Sequence, residues 1–144
     1  ENRARPLSGA GRRQLEALGC FFRATALLAP AELWHSPLAR SRESAATLAA
    51  VLGWKIALTE VAGLEPDDDP VPLAGRLEAL TEELIIVGHE PHLGRLATQL
   101  LAGTAAESAF VLQKGAALAL ERRDGRWRVR WLVQPSLLPP GDGA

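Results

Sequence analysis

Two short polar segments of this 144-residue chain carry side chains suited to binding an anion. In Ser36-Pro37-Leu38-Ala39-Arg40-Ser41-Arg42-Glu43-Ser44-Ala45, a strand end passes into a helix start, which sets Arg40 beside backbone N–H groups that have no intrahelical acceptor. Such a terminus favours negative charge, and a guanidinium adds a planar fork matched to phosphate oxygens. In Gly88-His89-Glu90-Pro91-His92, Gly88 permits close approach of backbone or ligand and Pro91 suits a first helical turn. His89 then stands at a strand's carboxyl end, where an imidazole can donate to a phosphoryl oxygen or carry a proton near neutral pH. Each segment also has an ordinary reading: Arg40 and Arg42 as solvated or paired with Glu43, and His89 as a satisfied structural histidine. His89, Glu90 and His92 are not read as a metal centre, because His-Glu-x-His lacks the two-histidine helical spacing of a zinc motif; no metal and no cofactor are expected.

The elements that must hold these segments follow from periodicity and punctuation. Ser8 is the expected N-cap of a helix running to about Arg23, with Leu15, Leu18 and Phe22 facing inward. Glu32-Leu33-Trp34-His35 reads as a short buried strand ended by Ser36-Pro37, and a helix from Arg40 to Leu52 closes at Gly53. Lys55–Leu58 is the next strand, followed by a loop over 63–70 and a leucine helix from Val71 to Glu82 on Leu73, Leu77 and Leu80. Leu84-Ile85-Ile86-Val87 has the pattern of a strand covered on both faces, and a helix from His92 to Leu101 follows it to Gly103. Asp124-Gly125 joins 116–121 to 126–133 as an antiparallel hairpin, with Trp127, Val129, Trp131 and Val133 on one face and Arg126, Arg128 and Arg130 on the other. The alternation of strands and helices predicts an α/β three-layer sandwich with a mainly parallel central sheet and an antiparallel C-terminal hairpin. Residues 1–134 are read as a single domain and 135–144 as a Pro/Gly-rich tail.

Composition narrows the functions. Sixteen Lys and Arg against 17 Asp and Glu give a formal net charge of -1, without the overall attraction of a dedicated nucleic-acid or acidic-membrane binder. The arginine face of the hairpin is therefore read as a solvated sheet face, and no nucleic-acid partner is expected. No apolar run approaches the roughly 20 residues that span a bilayer, so no membrane partner is expected either. Cys20 is the single cysteine and has no partner for an internal disulfide, which fits a reducing, cytoplasmic setting.

Ser36-Pro37-Leu38-x-Arg40-x-x-Glu43-Ser44-Ala45, Leu64-x-Pro66 before a leucine helix, and Val87-Gly88-His89-Glu90-Pro91 resemble the ordered blocks of the histidine phosphatase superfamily. Arg5-Pro6-Leu7-Ser8 with Gly11, the short chain without a large helical insertion, and Lys114-Gly115-Ala116 before the hairpin are similar to the SixA-type phosphohistidine phosphatases. The resemblance runs from about Arg5 to Val133. It implies a phosphoglycerate mutase-like fold and dephosphorylation of a protein phosphohistidine, with small phosphate esters as further substrates. It also implies Arg40 and His89 as catalytic and phosphate-binding residues around a phosphate or other oxyanion, with no metal. Glu90 is the candidate secondary acid; Glu65, Asp67 and Lys114 have no assigned role.

The family's Arg-His-Gly motif, whose histidine attacks phosphorus, does not occur in the chain, and His35 lies after the first helix and cannot take its place. In the family that motif stands shortly before the segment matching Arg5-Pro6-Leu7. The nucleophile and its strand are therefore expected upstream of Glu1, in keeping with a chain that opens without methionine. Loss of a central strand would expose open ladder groups at a cost comparable with total stabilities of about 5–15 kcal/mol. The alternative is a catalytically inactive phosphate-binding or regulatory module of the same fold.

Overall fold

In the computed structural model, which describes residues 3–138, Ser8 Oγ accepts the Gly11 N–H at 3.0 Å and opens helix α1, Gly9–Thr25. The hydroxyl thus satisfies a donor that the helix itself cannot. Leu18 and Phe22 are buried from α1. Strand β1, Glu32–His35, leads into α2, Ala39–Leu52, which ends at Gly53 in the left-handed region with φ 69°. Strand β2 covers Ala57–Glu60, two residues beyond the expected Lys55–Leu58, because its bounds follow the parallel ladder with β1, from Glu32↔Ala57 to His35↔Glu60.

Helix α3, Val71–Glu78, is shorter than the leucine spacing predicts, and Leu80 lies outside it at 36% exposure. A distant side chain joins its end: the Arg122 guanidinium donates to the carbonyls of Leu77 at 3.3 Å, Leu80 at 2.7 Å, and Glu78. The Leu77 carbonyl also accepts the Leu80 N–H at 3.2 Å, so the guanidinium adds to the closing turn and gathers the carbonyls just beyond it. Strand β3 is Leu84–Val87, and α4 is His92–Ala102. Strands β4, Ala117–Arg123, and β5, Arg126–Val133, join through Asp124 and Gly125, both at positive φ, as a two-residue hairpin turn demands. Of the segment read as a tail, Pro135–Leu137 form a short 3₁₀ turn, and residues from 139 onward lie outside the described residues.

The parallel sheet has the order β2-β1-β3, and β4-β5 form a separate antiparallel sheet. This is the expected α/β architecture, with the hairpin a sheet of its own rather than an edge of the first. Trp34 points from β1 into a core of Val61, Leu64, Leu73, Ala74, Leu77 and Leu96, supplied in part by α3 and α4. On alternation Leu33, with no exposure, occupies the opposite face, where α2 packs on the strands and α1 on α2. The α1–α2 approach is close: a Cβ on Gly19 would stand 2.5 Å from Val51 Cγ1.

Two expectations are corrected. β3 is half-buried throughout rather than fully covered, since β1 holds the centre of the sheet and the other edge of β3 has no strand partner among the described residues. Trp127, Val129, Trp131 and Val133 do not share one face: a bulge between Ala119 and Leu120 pairs Trp131 with Ala119 but Val129 with Leu120, so Trp131, on Phe22, and Val133 lie opposite Trp127, on the core, and Val129, which is 46% exposed. Among the described residues no helix is long and apolar enough to cross a membrane.

Candidate active site

The last residues of β1 and β3, His35 and Val87, are register partners in a parallel ladder, so the segments that follow them leave the sheet side by side. This carboxyl edge is where open α/β sheets place their ligands. Ser41, in the first turn of α2, fastens the two exits together. Its hydroxyl donates to the Val87 carbonyl at 2.8 Å and accepts the Ser36 N–H at 3.1 Å. Ser36 is fully buried, and its Oγ lies 2.6 Å from His89 Nε2. His35 Nδ1 donates to the Ser36 carbonyl at 2.9 Å, which fixes the backbone at the same point.

Arg40 stands half-buried in the first turn of α2, and its charge acts on His89. The His89 imidazole is held below the ordinary value of 6.5, chiefly by burial and then by the Arg40 cation, with Glu65 opposing the shift and His92 adding to it. A largely neutral imidazole beside a guanidinium is a pairing of one hydrogen-bonding group and one permanent cation. Such a pair can hold a tetrahedral oxyanion and leave it open on another side.

The chain's N-terminal segment closes over α2. The Ala39 N–H donates to the Arg3 carbonyl at 2.8 Å, and the Leu7 N–H to Glu43 Oε1 at 3.1 Å. Glu43 thus anchors backbone, a use its position beside Arg42 did not disclose. Glu65 pairs with Arg3 through its carboxylate and donates its N–H to Asp68 Oδ2 at 2.8 Å. Asp67 and Lys114 are exposed.

Glu90 is exposed, and its Oε1 accepts the Gly94 N–H at 2.9 Å, so the carboxylate serves the first turn of α4. Partial burial raises its pKa, and the Gly94 hydrogen bond works against that rise. His92 has no exposure, and neither ring nitrogen has a hydrogen-bond partner among the described residues. Burial lowers its pKa, Asp68 pulls it up and Arg95 pushes it down; the Gly63 backbone also favours the cation by proximity, short of hydrogen-bond geometry. Among the described residues no group of three or more His, Cys, Asp or Glu is arranged to hold a metal ion. A cleft of about 270 Å³, bordered by Gly63, Asp68, Asp69 and Arg76, contains neither Arg40 nor His89.

Arg40 and His89, singled out in sequence, therefore stand on segments that leave the sheet at one edge, with the Arg40 charge acting on the His89 ring. The Ser36 and Ser41 hydroxyls were missed as parts of the site. The available signal was a pair of serines, five residues apart, bracketing the passage from a buried strand into a helix.

Residues 3–65 match the family model of the histidine phosphatase superfamily (branch 1), a span that includes Ser36 and Arg40 but not His89. Among curated proteins, none matches the chain by sequence. Of solved structures, the protein histidine phosphatase SixA complexed with tungstate superposes with a TM-score of 0.84 at 18% identity, covering 94% of this chain and 88% of that one. The phosphohistidine phosphatase SixA assigned in Agrobacterium tumefaciens gives 0.75 at 16% identity, covering 94% and 86%. Its counterpart from Nakamurella multipartitia gives 0.73 at 18%, covering 94% and 87%. The chain has the SixA fold, and its residues 3–65 carry the sequence pattern of the histidine phosphatase superfamily (branch 1).

Proposed function

We propose that the chain is the phosphate-holding body of a phosphohistidine phosphatase that works without a metal ion. The observation that carries this reading is that Arg40 and His89 stand on segments leaving the sheet at the carboxyl edge of β1 and β3, with the Arg40 charge acting on the His89 ring. The SixA structure of the same fold holds tungstate, a tetrahedral oxyanion, which supports a phosphoryl group as the occupant here.

In this reading an imidazole nitrogen of a histidine upstream of Glu1 forms a bond to phosphorus as the bond to the substrate histidine breaks. The departing imidazole takes up a proton, and water then cleaves the new N–P bond to release inorganic phosphate. Arg40 neutralises the equatorial oxygens and His89 donates to one of them, which stabilises the transition state by preorganised charge. Glu90 is the candidate source of the proton. The edge of β3 that has no strand partner among the described residues, with the hairpin standing as a separate sheet, supports an additional strand carrying the nucleophile. Small phosphate esters are secondary substrates, and the protein partner is a phosphohistidine-bearing domain.

The test is hydrolysis of a phosphohistidine peptide, in the presence of a chelator, by the chain together with its upstream residues. Arg40→Ala and His89→Ala each remove most of the rate if the reading holds. Undiminished turnover in both variants refutes it, and phosphate binding without turnover favours the inactive module.

A further inference from the structure

The contact between Ser36 and His89 determines which ring nitrogen is free to face a ligand. Ser36 has no exposure, so its hydroxyl must find its partners inside the protein. A serine hydroxyl has one hydrogen to give and two lone pairs. The Leu38 N–H donates to Oγ at 3.3 Å and occupies one lone pair. For the hydroxyl hydrogen, the acceptor among the described residues is His89 Nε2, at the short separation of 2.6 Å. The opposite assignment, Nε2–H donating to Oγ, would leave a buried hydroxyl hydrogen without an acceptor among the described residues.

We infer that Ser36 is a positioning residue that holds the neutral His89 imidazole as its Nδ1–H tautomer, with Nε2 tied to the Ser36 hydroxyl and Nδ1–H left as the donor for an oxyanion. The ring is thereby fixed in orientation as well as in protonation. A ring free to flip would present an acceptor nitrogen to the oxyanion in part of the population, and an acceptor repels that charge. The neutral state on which this depends is favoured by burial and by the Arg40 cation. Ser41 supports the arrangement from behind, because it accepts the Ser36 N–H and so keeps Oγ aimed across the gap between β1 and β3. The inference rests on the phosphatase reading for its kinetic consequence only.

Long-range ¹⁵N–¹H NMR of the histidine side chains, on the unaltered chain at neutral pH, reads the tautomer directly. The expected result is a protonated Nδ1 and an unprotonated Nε2 for His89. In Ser36→Ala the preference for Nδ1–H is lost, and the His89 titration midpoint rises, because the removed bond was donated to the neutral form. Turnover of the phosphohistidine peptide falls roughly tenfold in kcat, as for other residues that orient a reacting group from behind. An Nε2–H tautomer in the unaltered chain, or the same tautomer in both proteins, overturns the inference even if turnover is robust. Absence of turnover with the expected tautomer overturns the phosphatase reading and leaves this inference standing.

Discussion

The Ser41 hydroxyl donates to the Val87 carbonyl at 2.8 Å, joining the first turn of α2 to the last residue of β3 across 46 positions of sequence. The same oxygen accepts the Ser36 N–H, which also donates directly to the Val87 carbonyl at 3.3 Å, so one buried hydroxyl reinforces the junction of the two segments that carry Arg40 and His89. Removing it should therefore affect stability and binding together.

Ser41→Ala is expected to lower stability by about 1 kcal/mol, the net worth of a lost hydrogen bond, since the Ser36 N–H keeps its direct bond to the Val87 carbonyl at 3.3 Å. Urea denaturation measures this. A change within about 0.5 kcal/mol, the range of ordinary surface substitutions, would mean that the hydroxyl is not a fastening.

Arg40→Ala is expected to weaken phosphate or tungstate binding roughly 10- to 100-fold, the range of a lost charged hydrogen bond. Arg40→Lys should recover only part of it, since an ammonium lacks the planar fork. The His89 midpoint should also rise in Arg40→Ala, because a cation that disfavours protonation is gone while burial persists. Calorimetric titration and histidine NMR check the two effects separately, and an unmoved midpoint would place Arg40 away from the ring.

Burial holds His92 below the ordinary imidazole value of 6.5. The unfolded chain then binds more protons than the native one once pH falls below about 6.5, so stability declines on acidification until the native value is passed. His89, also lowered, acts with the same sign. Denaturation midpoints should fall between pH 7.5 and roughly 5.5, and His92→Leu should flatten part of the decline. A midpoint that rises in the acid range would contradict a neutral buried imidazole.

Glu90 combines a structural contact with a chemical candidacy, and two variants separate them. Glu90→Gln keeps an oxygen for the Gly94 N–H but has no carboxyl proton, so stability should hold while turnover drops severalfold. Glu90→Ala should in addition cost about 1 kcal/mol, as for a lost helix cap. Full turnover in Glu90→Gln would remove Glu90 from the proton path.

Much of this molecule was written locally. The bounds of β1 and β3, the helix ends at Gly53 and Gly103, the Ser8 cap and the Asp124-Gly125 turn each depend on a few adjacent residues, and sequence alone determined them. Arg40 and His89 were legible for the same reason, because a polar residue at a strand-to-helix passage announces itself within ten positions. Packing decided the rest. The register of β1 with β3, the Arg122 hydrogen bonds at the end of α3, the hold of Glu43 on Leu7, and the 2.6 Å contact of Ser36 with His89 join residues 36 to 53 positions apart. Hydrophobic periodicity tells which face of an element is covered, but it is non-directional and does not name the partner. Which hydroxyl meets which imidazole is fixed only when the sheet assembles and each buried polar atom must find its hydrogen bond.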